Sequence, residues 1–138
     1  MMIPCDVSLN PYSGQHHATM ILDALERQGQ NLAQDKLLGV TDLDLYVPNL
    51  NFVFGEARLP GRVALISTYR LMATTTYGGA ELFPLRLVKE AVHELGHTLG
   101  LSHCDQTLCV MHFSNSLADT DRKSEDYCES CLRELGRE

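Results

Sequence analysis

The sequence predicts an α+β fold: a small mixed β-sheet, a long helix carrying the functional residues, and a C-terminal part stabilised by metal. Three observations carry that expectation. Apolar residues alternate or run together between residues 42 and 68, as strands require. Helical spacing governs residues 18–28 and the run that ends at Leu99. Beyond that run, four cysteines stand in two short-spaced pairs, Cys104 with Cys109 and Cys128 with Cys131. The 138 residues are expected to form a single domain, with sheet and helices in residues 1–100 and a cysteine-bearing lower part in residues 101–138.

Residues 1–15 lack periodicity, and Asn10-Pro11-Tyr12-Ser13-Gly14 forms a turn-like cluster. Ala18, Ile21, Leu22 and Leu25 then recur at helical spacing until Gln28-Gly29, which predicts a first packing helix. His16 and His17 are expected to be solvated residues at its start, with no third ligand nearby. Leu43, Leu45 and Val47 alternate with Asp42, Asp44 and Tyr46, predicting a half-buried strand closed by Pro48-Asn49. Asn51-Phe52-Val53-Phe54 reads as a brief second strand limited by Gly55 and the Leu59-Pro60-Gly61 turn. The continuous apolar run of residues 63–68 is expected to be a central strand covered on both faces. Residues 69–82 read as a loop. A helix is then expected from Phe83 or Pro84 to Leu99, with Leu85, Val88, Val92, Leu95 and Leu99 in the core.

That helix carries the chemistry. Residues 93–104 read HELGHTLGLSHC, an HExxHxxGxxHC pattern. His93 and His97 stand one turn apart on one face, a spacing that lets two imidazoles share one zinc. Glu94 is rotated by about 100° from His93, out of the ligand set but within reach of a water beside the metal as general base. Had the helix run on, His103 would lie about 9 Å further along the axis from His97, on another face. Gly100 supplies the needed bend, because a left-handed residue past a helix end costs glycine almost nothing. Two surface histidines would account for HExxH alone; with Gly100 and His103 in register, a chance match falls well below about one in 10⁴.

Cys104, Cys109, Cys128 and Cys131 are expected to form a closed, structural four-thiolate zinc site, each pair contributing two ligands. That site would tie the segment after the histidines to a short C-terminal helix at residues 126–135. The competing reading is two disulfides, or a redox pair at Cys128 and Cys131. No thioredoxin-like strand precedes that pair, and the N-terminus shows no secretory signal. Cys5 is expected to be a free, partly buried thiol, and His112 a surface residue.

Composition narrows the partners. Eighteen acidic and eleven basic residues leave a net charge of -7, with no basic run long enough to track phosphates. Nucleic acid and anionic membranes are therefore not expected partners, and no apolar run approaches the roughly 20 residues of a membrane span. A cytoplasmic monomer is the expectation.

HExxHxxGxxH with a methionine downstream resembles the metzincin zinc peptidases. The extension into Cys104, Cys109-x-Met111 and Cys128-x-x-Cys131 resembles the archaemetzincins in particular, as do LGVTDLDLY at residues 38–46 and FVFGEA at residues 52–57. The resemblance covers residues 16–135. It implies a compact metzincin-like domain in which His93, His97 and His103 bind a catalytic zinc and Glu94 activates the zinc-bound water. Met111 would form the turn beneath the metal and the four cysteines would hold a second zinc, giving two per chain. The implied activity is hydrolysis of peptide bonds in peptide or protein substrates. The alternative is a zinc-stabilised peptide-binding or regulatory module with little or no peptidase activity; Glu94 favours the enzyme, because a pure binding site has no need of that carboxylate. Two departures stand out: the family's opening strand is shortened or absent, leaving about four strands, and Phe113 occupies the place where some metzincins carry a tyrosine near the metal. Phe52, Val53 and Phe54 are the expected edge strand for an extended peptide.

Overall fold

The computed structural model describes residues 6–73 and 79–136, so Cys5 lies outside the described residues. A short 3₁₀ turn, Asp6–Ser8, leads to Leu9, which bridges back to His16. Asn10 to Gly14 form the expected turn, with the Gly14 N–H on the Asn10 carbonyl at 2.9 Å.

Six short strands follow in two three-stranded sheets rather than one sheet of four. They are β1 (His16–His17), β2 (Leu37–Thr41), β3 (Leu45–Val47), β4 (Leu50–Val53), β5 (Gly55–Ala57) and β6 (Val63–Ser67). One sheet has the order β1-β3-β4 and the other β2-β6-β5, each with one parallel and one antiparallel pair. The expected strand over residues 42–47 is interrupted because Asp44 is turned to bind Arg70, at 2.7 Å, and its carbonyl accepts the His16 N–H. The second strand does not stop at Gly55. After Phe54 the chain passes from the edge of the first sheet to the edge of the second, so that β4 and β5 are consecutive edge strands. Every residue of β6 is buried, as the unbroken apolar run predicts.

His16 and His17 are not solvated helix-end residues but form β1, paired parallel with Leu45 and Tyr46. Both are half-buried; His16 Nδ1 lies 2.8 Å from Ser8 Oγ and the His17 ring packs on Tyr46. The first helix, α1 (Ala18–Gln28), follows at once, and Ala18, Ile21, Leu22 and Leu25 bury their side chains against Leu45, Val63 and Leu65. Each large aliphatic side chain buried there contributes roughly 1.5–3 kcal/mol. Arg58, just after β5, clamps this layer by pairing with Asp23 and Glu26 of α1.

The long helix α2 (Gly79–Thr98) begins earlier than expected and includes Pro84. Glu81 in its first turn suits the positive end of the helix dipole. Its expected core stripe is corrected: Leu85, Val88 and Leu99 are 39%, 46% and 45% exposed, and Val92 and Leu95 are half-buried. The inward face instead carries Arg86, Lys89, Glu90, His93, Glu94 and His97, all buried. Burying that much polarity requires partners, and the segment after α2 supplies many of them. Two short helices complete the chain, α3 (Leu117–Arg122) and α4 (Glu129–Leu135); α4 starts at Glu129 because Cys128, with extended backbone, is its N-cap. Among the described residues no helix is long and apolar enough to cross a membrane.

Candidate zinc centres

α2 ends in a Schellman turn: the Gly100 N–H bonds the His97 carbonyl at 2.9 Å and the Leu101 N–H bonds the Gly96 carbonyl at 3.0 Å. Gly100 has φ 101°, a left-handed conformation strained for other residues. The reversal brings His103 back to His93 and His97, and one nitrogen from each ring lies within 4.8 Å of the others.

Backbone carbonyls fix the rings. His93 Nδ1–H donates to the Val110 carbonyl and His97 Nδ1–H to that of Leu101, both at 2.7 Å, leaving each Nε2 as a free donor pair for a metal. Burial lowers the pKa of all three histidines, His93 most, with the Lys123 ammonium adding to the effect. Neutral imidazoles are the form a metal needs. Met111 is fully buried directly under α2: a Cβ on Gly96 would stand 2.5 Å from the Met111 sulfur, so this contact requires glycine in the helix. Phe113 packs on His103 with ring centres 5.0 Å apart.

Glu94 sits beside the histidines in a cleft of about 590 Å³ bounded above by β4 and β5. A Cβ on Gly55 would come within 3.0 Å of the Glu94 carboxylate and 2.3 Å of the Leu65 carbonyl, so glycine lets the edge strand lie against the carboxylate. No described side chain or backbone N–H donates to that carboxylate. Burial pushes its pKa well above the usual carboxylate range, Glu90 and Glu56 push the same way, and Lys123 opposes them. Divalent charge at the histidines would pull it back down.

The cysteines converge separately. Cys104 Sγ and Cys128 Sγ are 3.7 Å apart, and Cys109 Sγ and Cys131 Sγ 3.8 Å. A disulfide needs about 2.05 Å, whereas four sulfurs about 2.3 Å from a central zinc in a tetrahedron stand about 3.75 Å apart. The thiols thus fit a four-thiolate zinc and not two disulfides. The backbone N–H of Cys131 helps by lowering the Cys128 thiol to about 7, toward the thiolate that a metal binds. Cys109 Sγ also accepts the N–H groups of Met111 and Cys128, at 3.4 and 3.3 Å. His112 stands apart from both clusters and is half-buried, its Nδ1 on the Cys104 carbonyl at 2.8 Å.

An ionic seam joins α2 to α3 where the apolar spacing predicts only a hydrophobic stripe. Arg86 binds both oxygens of Asp121 at 2.8 Å, Lys89 donates to the Thr120 carbonyl at 3.0 Å, and Glu90 accepts from Thr120 Oγ1 at 3.0 Å and pairs with Lys123 at 3.4 Å. The signal was present: His93 and His97 fix which face of α2 turns inward, and counting back by three and four from them reaches Glu90, Lys89 and Arg86.

Two inward histidines one turn apart, a glutamate between them and a third histidine returned by a glycine turn define a zinc metallopeptidase. Within that class the chain belongs to peptidase family M54, whose model matches residues 4–137, and to its archaemetzincins. It is 49% identical over 124 residues to the archaemetzincin of Methanopyrus kandleri, covering 90% of this chain and 67% of that protein. The crystal structure of the M. kandleri protein superposes with a TM-score of 0.86 at 46% identity, over 96% of this chain and 70% of that one. A zinc-dependent peptidase from Methanocorpusculum labreanum superposes with a TM-score of 0.82 at 32% identity, over 97% and 81% of the two chains. Family membership makes peptides or proteins the substrates.

Proposed function

We propose that the protein hydrolyses peptide bonds with Glu94 as general base, using a catalytic zinc held by His93, His97 and His103. A second, structural zinc is held by Cys104, Cys109, Cys128 and Cys131. The catalytic zinc supplies a Lewis acid that acidifies water and polarises a carbonyl. The observation that carries the reading is the Glu94 carboxylate: buried, facing the cleft beside the three imidazoles, and bound by no described donor. A carboxylate kept free of partners at that cost is available to take a proton from water and to deliver it to the leaving amide nitrogen.

The other residues position the substrate. An extended peptide adds to the open edge of β5, which Gly55 allows to lie close against Glu94. The edge expected at residues 52–54 covers the end of β4 and the break at Phe54, and β5 carries on along the cleft as the edge of the second sheet. Phe113 contributes an apolar wall at His103 and, having no hydroxyl, no donor to the oxyanion. The net charge of -7 supports action away from nucleic acid and anionic membranes.

The test is mass-spectrometric detection of cleavage in a diverse peptide mixture, comparing zinc-loaded protein with Glu94→Ala. The variant should lose at least about 10²-fold in rate with its zinc content unchanged. Equal cutting by both would remove Glu94 from the chemistry. No cutting by either, with both zincs present, would overturn the peptidase reading in favour of a binding module.

A further inference from the structure

Beneath the histidines lies a cation that takes no part in the proposed proton transfers. Lys123 directly follows α3 and is fully buried. Its Nζ donates to the His112 carbonyl at 3.1 Å, pairs with Glu90 Oε2 at 3.4 Å and lies 3.5 Å from His93 Nδ1. One ammonium therefore touches the helix bearing two of the histidines, the turn that carries Met111, and a histidine ring.

Stability alone is a poor account of this arrangement. Taking an ammonium and a carboxylate out of water costs as much as their attraction returns, and an apolar pair of the same volume often serves a core as well. What the charged group adds is direction. Val110, whose carbonyl holds His93 Nδ1–H, and His112, whose carbonyl holds Lys123, flank Met111 in one turn. Glu90, one helical turn before His93 and Glu94, is fixed from the other side by Thr120. The ammonium thus ties the turn to the helix at the point where the ring must be aimed.

We propose that Lys123 is a positioning residue, which locks the turn at Met111 against α2 and so holds His93 in its metal-binding orientation before a metal arrives. The inference rests on the reading of His93, His97 and His103 as metal ligands. Outer partners of metal-bound histidines are worth about 10–100-fold in metal affinity, and Lys123 is expected to fall in that range.

The test uses zinc-loaded protein from which a mild chelator has removed the metal at the open three-histidine site. That site is then titrated with cobalt(II), whose absorption separates a nitrogen-ligated site from the intense thiolate bands of the cysteine site. Lys123→Met should bind cobalt at the histidines about 10–100-fold more weakly than wild type, with near-UV circular dichroism and metal at the cysteines unchanged. The double variant Glu90→Gln/Lys123→Met removes both buried charges. It should recover the thermal midpoint without recovering cobalt affinity, and it decides the matter if the single variant does not fold. Unchanged affinity in Lys123→Met, or affinity restored in the double variant, would reduce Lys123 to a counter-ion for Glu90 and overturn the inference. If wild-type protein takes no cobalt at the histidines, the ligand reading itself fails and the inference falls with it.

Discussion

Above α2, seven buried side chains from Ala18 to Leu65 pack α1 against the sheets without a polar side-chain atom among them. Below α2, the buried cluster is Leu101, Val110, Met111 and two thiols, and most of the remaining interior is charge: Arg86, Lys89, Glu90 and Lys123 with their partners. The contrast follows from length. Residues 101–136 form a segment shorter than the roughly 40 residues below which a chain seldom stands on its own apolar core. Directed ion pairs and a cluster of four thiols that could hold a metal stand where more buried apolar area would otherwise be. The same segment supplies the Val110 and Leu101 carbonyls that orient the His93 and His97 rings at the seam between the two regions.

The sharpest way to break this comparison is to remove metal from the cysteines, by a strong chelator or by Cys131→Ser. Structural zinc binding is worth on the order of 10–16 kcal/mol in isolated zinc-binding peptides, as much as the whole stability of an ordinary domain. Amide-exchange protection should vanish across residues 101–136, α4 included, while β6 keeps its protection. Simultaneous loss in β6 would show that the two regions, though built differently, stand or fall as one unit.

The same contrast explains what could be read in the sequence. The apolar region was legible because its signals are local: α1 declares itself through Ala18, Ile21, Leu22 and Leu25, and β6 through an unbroken apolar run. The two candidate ligand sets were legible because zinc chemistry restricts residue type and spacing, and within each set the candidate ligand atoms lie within 4.8 Å of one another. Local pattern misleads where a long-range partner overrides it. Leu85, Val88 and Leu99 have core-like spacing yet face outward, because the polar residues opposite them have ionic partners that pattern alone does not reveal. His16 and His17 look like solvated helix-end residues, but pairing with β3 makes them a strand. Residues 42–47 look like one alternating strand, but Arg70 captures Asp44 from 26 positions away.

A smaller effect tests the upper region. Leu22 is fully buried in the α1 layer, and Leu22→Ala should cost about 2–5 kcal/mol by denaturant unfolding, lost burial and residual cavity together. Cobalt exchanged into the cysteine site should give unchanged thiolate bands in the folded variant. A change in those bands would mean that the apolar layer reaches across α2 and shapes the thiols below.

The smallest effect concerns α4, the element most dependent on the lower region's chemistry. It spans seven residues, too few to be stable alone in water, where helices shorter than about 12–15 residues are marginal. Its own contribution is the pair Glu129 and Arg133, 2.9 Å apart at i,i+4 with the glutamate first, but their side chains are 87% and 63% exposed. Such a pair is worth roughly 0.3–0.5 kcal/mol, less at high salt. Arg133→Ala should therefore shift the unfolding midpoint barely beyond error and leave the metal bands intact, because Cys128 at the N-cap and Cys131 one turn later anchor the helix. A cost above about 1 kcal/mol would be larger than any exposed pair supplies. It would mean that α4 holds the thiols in place rather than being held by them.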